Sequence, residues 1–123
     1  MVPADISAAL GLEGHHAHRA GDPRRTPTGT ALAGNYPDNR WRHVVRHTTL
    51  DQHFVEQLRQ FLSEIKRHKP FFADVRASGG SAGIVINFLG DGYFGDEIPS
   101  CLLKKIAHLG LDLGIECFPV PQN

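Results

Sequence analysis

Eight histidines, two cysteines and a run of carboxylates are the residues in this chain of 123 whose types could do chemistry. His15, His16 and His18 crowd one stretch next to Asp22, and imidazoles at i and i+3 in a turn could bind Zn²⁺ or a similar borderline ion. A structural zinc site wants four ligands in tight geometry, and neither Cys101 nor Cys117 belongs to a ligand pair. The bland reading of His15 to Asp22 is a solvated loop. His43 and His47 would share one strand face, but stand roughly 13 Å apart at the rise of a strand, too far for one metal. Cys101 falls near an expected helix start, where the positive end of the helix dipole could make a thiol nucleophilic. Its nearest candidate base, His108, lies about two turns and roughly 10 Å along the same helix. A small buried thiol is the simpler account of Cys101, and Cys117 reads more plainly as core. No nucleophile and base can be placed within hydrogen-bond reach, so a hydrolase or transferase ranks last among the readings and no catalytic residue or cofactor is expected.

Asp91, Asp96 and Glu97 lie in a glycine-rich run, Asp91-Gly92-Tyr93-Phe94-Gly95-Asp96-Glu97. An EF-hand loop alternates oxygen ligands over twelve residues, whereas Gly92, Tyr93, Phe94 and Gly95 interrupt them here. Gly79-Gly80-Ser81-Ala82-Gly83 lacks a following Lys-Ser or Lys-Thr and precedes a strand, so it is no phosphate loop. Two aromatic residues beside three acids have the composition of a surface that receives a basic partner, and Asp91, Tyr93, Phe94, Asp96 and Glu97 are the expected protein-binding residues. The bland alternative is a plain turn with Phe94 buried.

The elements that must position these groups are partly legible. Leu50, Phe54, Leu58, Phe61, Leu62 and Ile65 recur at spacings of three and four, which predicts a helix over 50–68. Thr49 and Gln52 form a capping-box pattern at its start, while Lys66, Arg67, His68 and then Pro70 mark its end. Pro99 opens a second helix that Gly110 closes, and Pro3 opens a shorter one that stops at Leu10-Gly11-Leu12. The match to Leu109-Gly110-Leu111 is a weak echo, either a duplicated helix and turn or two helices with one stop signal. Alternation predicts strands over 83–89, with Ile84, Ile86 and Phe88 on one face, and over a run ending at Phe118, with Leu113, Ile115 and Cys117 on one face. Trp41 to Thr48 is a third, with Trp41, His43, Val45 and His47 pointing inward. From about 13 to 39 the chain is rich in Gly, Pro, Thr, Arg and His, and reads as a long polar loop, mobile or draped over the surface.

Composition bounds the rest. A hydrophobic share of 41% with 21% charged residues is that of one soluble globular domain spanning 1–123. Thirteen basic against thirteen acidic side chains give zero net charge, which weighs against a nucleic-acid partner held by phosphate neutralisation. Charge is uneven, however: residues 1–50 hold six Arg against Asp5, Glu13, Asp22 and Asp38, and 71–123 hold Arg76, Lys104 and Lys105 against six acids. Such polarity can steer a charged protein partner or favour self-contact. There is no apolar run of the about eighteen residues that a membrane span needs, no signal-peptide pattern at Met1 and no disulfide scaffold, so the cytoplasm is the expected location.

Taken in order, Asp5-Ile6-Ser7-Ala8-Ala9-Leu10-Gly11-Leu12, Gly21-Asp22, the strand around Trp41, the helix at 50–68, a strand, Asp91-Gly92-Tyr93-Phe94-Gly95 and the helix ending Leu109-Gly110-Leu111-Asp112-Leu113 cover nearly the whole chain. This ordered set resembles a bacterial family known as domain of unknown function 4279. The resemblance implies an α+β domain, a small, mostly antiparallel sheet with two to three helices against it, with a ferredoxin-like arrangement among the options. It further implies no established activity and an immunity-like role in bacterial conflict. Members resemble one another in an apolar strand before the first helix, which here would precede Pro3. The expectation is a start codon placed too far downstream, or a gap filled by a second subunit to give a homodimer, since an uncovered sheet edge and helix face cost several kcal/mol of a total near 5–15. The leading expectation is therefore a non-enzymatic protein-binding module. Its rival is a small-ligand or metal-binding domain that uses the His15 to Asp22 loop, beside Trp41.

Overall fold

The computed structural model describes residues 1–47, 54–90 and 95–118. The protein is α+β, and its contacts divide it into two compact units, Met1–His47 and Thr48–Asn123.

The first unit begins with α1 (Pro3–Leu10), where Pro3 brings a φ already suited to a first turn and Asp5 puts a carboxylate at the positive end of the dipole. Gly11 ends the helix at φ +66°, its N–H donating to the Ser7 carbonyl, a conformation that costs a residue without Cβ little. Four short strands follow: β1 (His16–His18), β2 (Pro23–Arg25), β3 (Ala31–Asn35) and β4 (Arg40–Arg42). They nest, β2 pairing antiparallel with β3 inside the antiparallel pair of β1 and β4. The stretch expected to be a polar loop over 13–39 therefore contains three strands. It shows no alternation because every residue of β2 and β3 is exposed, so neither face selects apolar side chains. Turn chemistry holds it instead: the Thr30 N–H donates to Thr26 Oγ1 at 3.0 Å and the Gly29 N–H to the Thr26 carbonyl at 2.9 Å. Tyr36 Oη accepts from the Arg25 N–H and donates to the Arg25 carbonyl, both at 3.3 Å, and the ring stacks on His18 at 3.7 Å.

Trp41 ties β4 to α1. Its Nε1 donates to Ser7 Oγ at 3.0 Å, and a Cβ on Gly14 would come within 2.5 Å of that nitrogen, so only glycine lets the indole lie there. The strand expected from Trp41 to Thr48 is shorter than its alternation suggests. Only Arg40–Arg42 pair, Val45 and His47 are exposed, and Thr48 lies outside the described residues.

In the second unit α2 (Val55–Ile65) buries Leu58, Leu62 and Ile65 of the predicted stripe together with Val55, which the spacing does not include, while Phe54 and Phe61 are half-buried and Leu50 lies outside the described residues. The proposed cap at Thr49 and Gln52 lies outside the described residues. A 3₁₀ turn at Lys66–His68 leads into α3 (Lys69–Ala77), which buries Phe72. Pro70, expected to be a stop, occupies the first turn of α3, where its missing N–H leaves no helical bond unmade. Then come β5 (Gly83–Leu89), α4 (Ser100–His108) and β6 (Asp112–Phe118). Pro99 caps α4, with its carbonyl accepting from Leu102 and Leu103, and Gly110 closes the turn after it at φ +74°. The shared Leu-Gly-Leu is thus a common stop: α1 leads to an antiparallel ribbon and α4 to a parallel strand.

β5 and β6 pair in parallel from Gly83↔Asp112 to Leu89↔Phe118, joined through α4. The register sets Ile84, Ile86 and Phe88 beside Leu113, Ile115 and Cys117, as the alternation predicts. Leu102, fully buried, packs in a core with Ile106, Leu109, Leu111 and the stripes of α2 and α3. Two of the three ladders are antiparallel, and each has two strands, so the ferredoxin-like option, a four-stranded sheet, is not seen among the described residues. Neither cysteine is core. Cys101 and Cys117 are both exposed: Cys101 lies off the buried stripe of α4 formed by Leu102 and Ile106, and Cys117 lies in the exposed second half of β6, which pairs on one side only among the described residues.

Candidate functional site

Of the five expected protein-binding residues, Asp91, Tyr93 and Phe94 lie outside the described residues. Asp96 and Glu97 stand in the segment that leads to Pro99 and α4. Helix α2 opens on Phe54, which has no side-chain oxygen to offer the first amides, and no side chain of its own cap bonds them. Asp96 supplies the missing acceptor from 41 residues away: its Oδ2 receives the Val55 N–H at 3.2 Å, while Oδ1 receives the Glu97 N–H at 2.8 Å. A carboxylate at this end of a helix also meets the positive end of the dipole. Asp96 therefore has a structural duty that its acidic neighbourhood does not reveal.

Around this contact is a surface groove of about 520 Å³ lined by Val55, Glu56, Arg59, Asp96, Glu97, Ile98 and Pro99. Val55, buried, and the half-buried Ile98 and Pro99 give it an apolar floor. Glu56 and Glu97 stand exposed on its rim, and Arg59 faces Glu56 across one helical turn at 3.6 Å. Three carboxylates against one guanidinium leave the groove acidic. Such a site can hold a short segment with a cation for the rim and aliphatic carbon for the floor. Glu56, Arg59, Ile98 and Pro99 were not singled out from the sequence. Glu56 and Arg59 look like solvated helix positions, and no local pattern announces that Glu97 will face them.

The His15 to Asp22 stretch is arranged otherwise than a common ligand site. His15 Nδ1 accepts the Val44 N–H at 3.0 Å, and its Nε2 lies 3.6 Å from Glu13 Oε2. His18 Nε2 donates to Asp38 Oδ1 at 3.1 Å, and Asp22 Oδ2 accepts the Arg19 N–H at 3.2 Å. His43 Nδ1 donates to the Glu13 carbonyl at 2.8 Å, with its ring 4.9 Å from that of His15 and 6.2 Å from that of Trp41. These groups serve the ribbon one by one, and among the described residues no three His, Cys, Asp or Glu side chains converge on a common point. Cys101 and His108 lie at opposite ends of α4, and His108 Nε2 accepts from Lys69 Nζ at 2.7 Å. Among the described residues no helix is long and apolar enough to cross a membrane. No family model matches the chain, and no curated protein and no solved structure is significantly similar to it.

Proposed function

We propose that this protein is a non-enzymatic binding module of the bacterial cytoplasm that receives a basic, partly apolar segment of a protein partner. The observation that carries the reading is the groove beside the start of α2, with its apolar floor of Val55, Ile98 and Pro99 under the rim acids Glu56 and Glu97. Its chemistry favours Lys or Arg flanked by an aliphatic side chain, whose stem covers the floor while the charge meets the rim. Exposed ion pairs contribute about 0.2–1 kcal/mol each, so the acids act mainly on encounter rate and register, and the buried aliphatic contact sets the residence time. The immunity-like role that the resemblance implies fits this mechanism, with the partner held by steric and electrostatic occlusion and no cofactor required.

Selection of a random linear-peptide display library on the immobilised protein tests it. The expected outcome is enrichment of peptides in which a basic residue adjoins an aliphatic one, with affinity falling roughly 2- to 30-fold in the Glu56→Gln, Glu97→Gln double variant, the sum of two exposed pairs. Selection without basic enrichment, or peptides that bind the double variant equally well, would overturn the reading.

A further inference from the structure

We infer that Lys69 is a modification site: an amine with His108 as its base, set in a carboxylate-free cationic patch, which takes the acyl group of a small acyl phosphate. No groove residue takes part, so the inference is independent of the proposed function.

His108 is the base that chain order offers to Cys101, and the fold gives it to Lys69 instead. Lys69 opens α3 and His108 ends α4, and these two helix ends bring Nζ within 2.7 Å of Nε2. An ammonium has protons to give and no lone pair, so Nε2 is the acceptor and the imidazole carries its own proton on Nδ1. This is the contact between nucleophile and base that a reactive amine needs, and both side chains are exposed to an incoming reagent.

The surroundings select the reagent. Between Ile65 and Ala73, and again between Ile98 and Leu111, the chain has no Asp or Glu, while Lys66, Arg67, Lys69, Lys104 and Lys105 all fall in those two stretches. Lys104 and Lys105 lie one turn before His108 on α4, and Lys66 lies one turn before Lys69. Among the described residues none of these five cations has an ion pair. Two of them turn to imidazoles instead, Lys69 to His108 and Arg67, whose Nε donates to His68 Nε2 at 3.2 Å. Positive charge that no carboxylate answers draws anions and stabilises the charge that develops on an anionic leaving group. An acyl phosphate meets both halves of the site, with a carbonyl carbon for the amine and a phosphate for the cations. In the step, Lys69 Nζ passes one proton to His108 Nε2, and the freed electron pair forms a bond to the carbonyl carbon. The C–O bond to phosphate breaks, the phosphate leaves with that electron pair and takes a second proton from the nitrogen, and His108 returns its proton to water. The products are an Nζ-acyl lysine, which has lost its positive charge, and hydrogen phosphate.

The chain has four lysines, and Lys66, Lys104 and Lys105 share the patch without an imidazole partner among the described residues, so they serve as internal controls. The full chain is incubated with acetyl phosphate, and acetylation at each lysine is followed by mass spectrometry. General-base help contributes about 10²–10⁴-fold in enclosed sites, and an exposed pair should retain roughly tenfold, the expected advantage of Lys69 over the controls. His108→Gln leaves an acceptor for Nζ but no base, and should bring Lys69 down to the rate of the controls, as should His108→Ala. Position 108 is exposed, so both variants should keep the wild-type circular dichroism spectrum and melting temperature. Excess inorganic phosphate, compared with chloride at equal ionic strength, should slow the reaction of Lys69 with acetyl phosphate severalfold and leave its reaction with the uncharged donor N-acetoxysuccinimide unchanged. Equal rates at the four lysines, a Lys69 rate indifferent to His108→Gln, or indifference to phosphate would each overturn the inference.

Discussion

Replacing Asp96 by Ala removes the side-chain acceptor of the Val55 amide at the start of α2 while leaving the helix's own sequence unchanged. Loss of an N-cap acceptor typically costs about 1 kcal/mol within a range of about 0.5–2, and the charge at the positive helix end supplies a few tenths of that. Two features push in opposite directions. Asp96 is exposed, which screens its charge, while Val55 is 5% exposed, so its amide is less easily rehydrated once the carboxylate is gone. The groove adjoins that amide and admits water, so the screened value of about 1 kcal/mol should win. For a chain of this size it corresponds to a fall of roughly 4 °C in melting temperature. Urea unfolding followed by circular dichroism at unchanged slope is the assay. Asp96→Asn keeps an acceptor oxygen and should lose about half as much, while Glu97→Ala, exposed and away from the helix amides, should stay within about 0.3 kcal/mol of wild type. If Asp96→Ala were as stable as Glu97→Ala, the long-range cap would contribute nothing and the account of how this acidic segment is held would be wrong.

In the first unit, Gly14→Ala would drive a methyl to 2.5 Å from Trp41 Nε1, and displacing the indole should cost about 1–3 kcal/mol. Trp41 is the sole tryptophan, so its emission should shift to the red in that variant and lose its early change on urea titration. Arg76 donates from Nε to the Gly110 carbonyl at 2.8 Å and lies 3.5 Å from Asp112, so Arg76→Ala should cost about 0.5–1 kcal/mol, read by chemical denaturation, with most of the loss persisting in high salt because the carbonyl bond is not screened. Native-state thiol labelling should modify Cys101 and Cys117 rapidly and without unfolding, because both are exposed. Labelling of either thiol only at the rate of global unfolding would count against its exposed placement.

The parts of the fold that can be read in the sequence are those in which one face of an element is buried. The stripe of α2 and the alternation of β5 are written in residue type because water is excluded from one side only, and the stops at Gly11 and Gly110 because both take a positive φ. Proline is less informative than it looks. At position 70 it marks a start as well as a stop, and a reading that takes the first meaning misses α3. Over 13–39 the strands are held by backbone pairing and threonine turns with no buried face, so composition there describes solvent exposure and says little about structure.

The candidate site was legible for a different reason, and only in half. An acidic run is visible at Asp96 and Glu97, but two adjacent carboxylates of one type divide their work by where the chain folds them: one reaches an amide 41 residues back, and the other stands over a groove whose far wall is Glu56 and Arg59. Long-range capping leaves no local pattern, because the donor helix is defined by its own stripe and the acceptor by its own loop. The same logic applies at β6, where Ile115 and Cys117 alternate as core residues should and yet remain exposed. Alternation records which face wants cover; it does not record whether the covering atoms belong to the same chain.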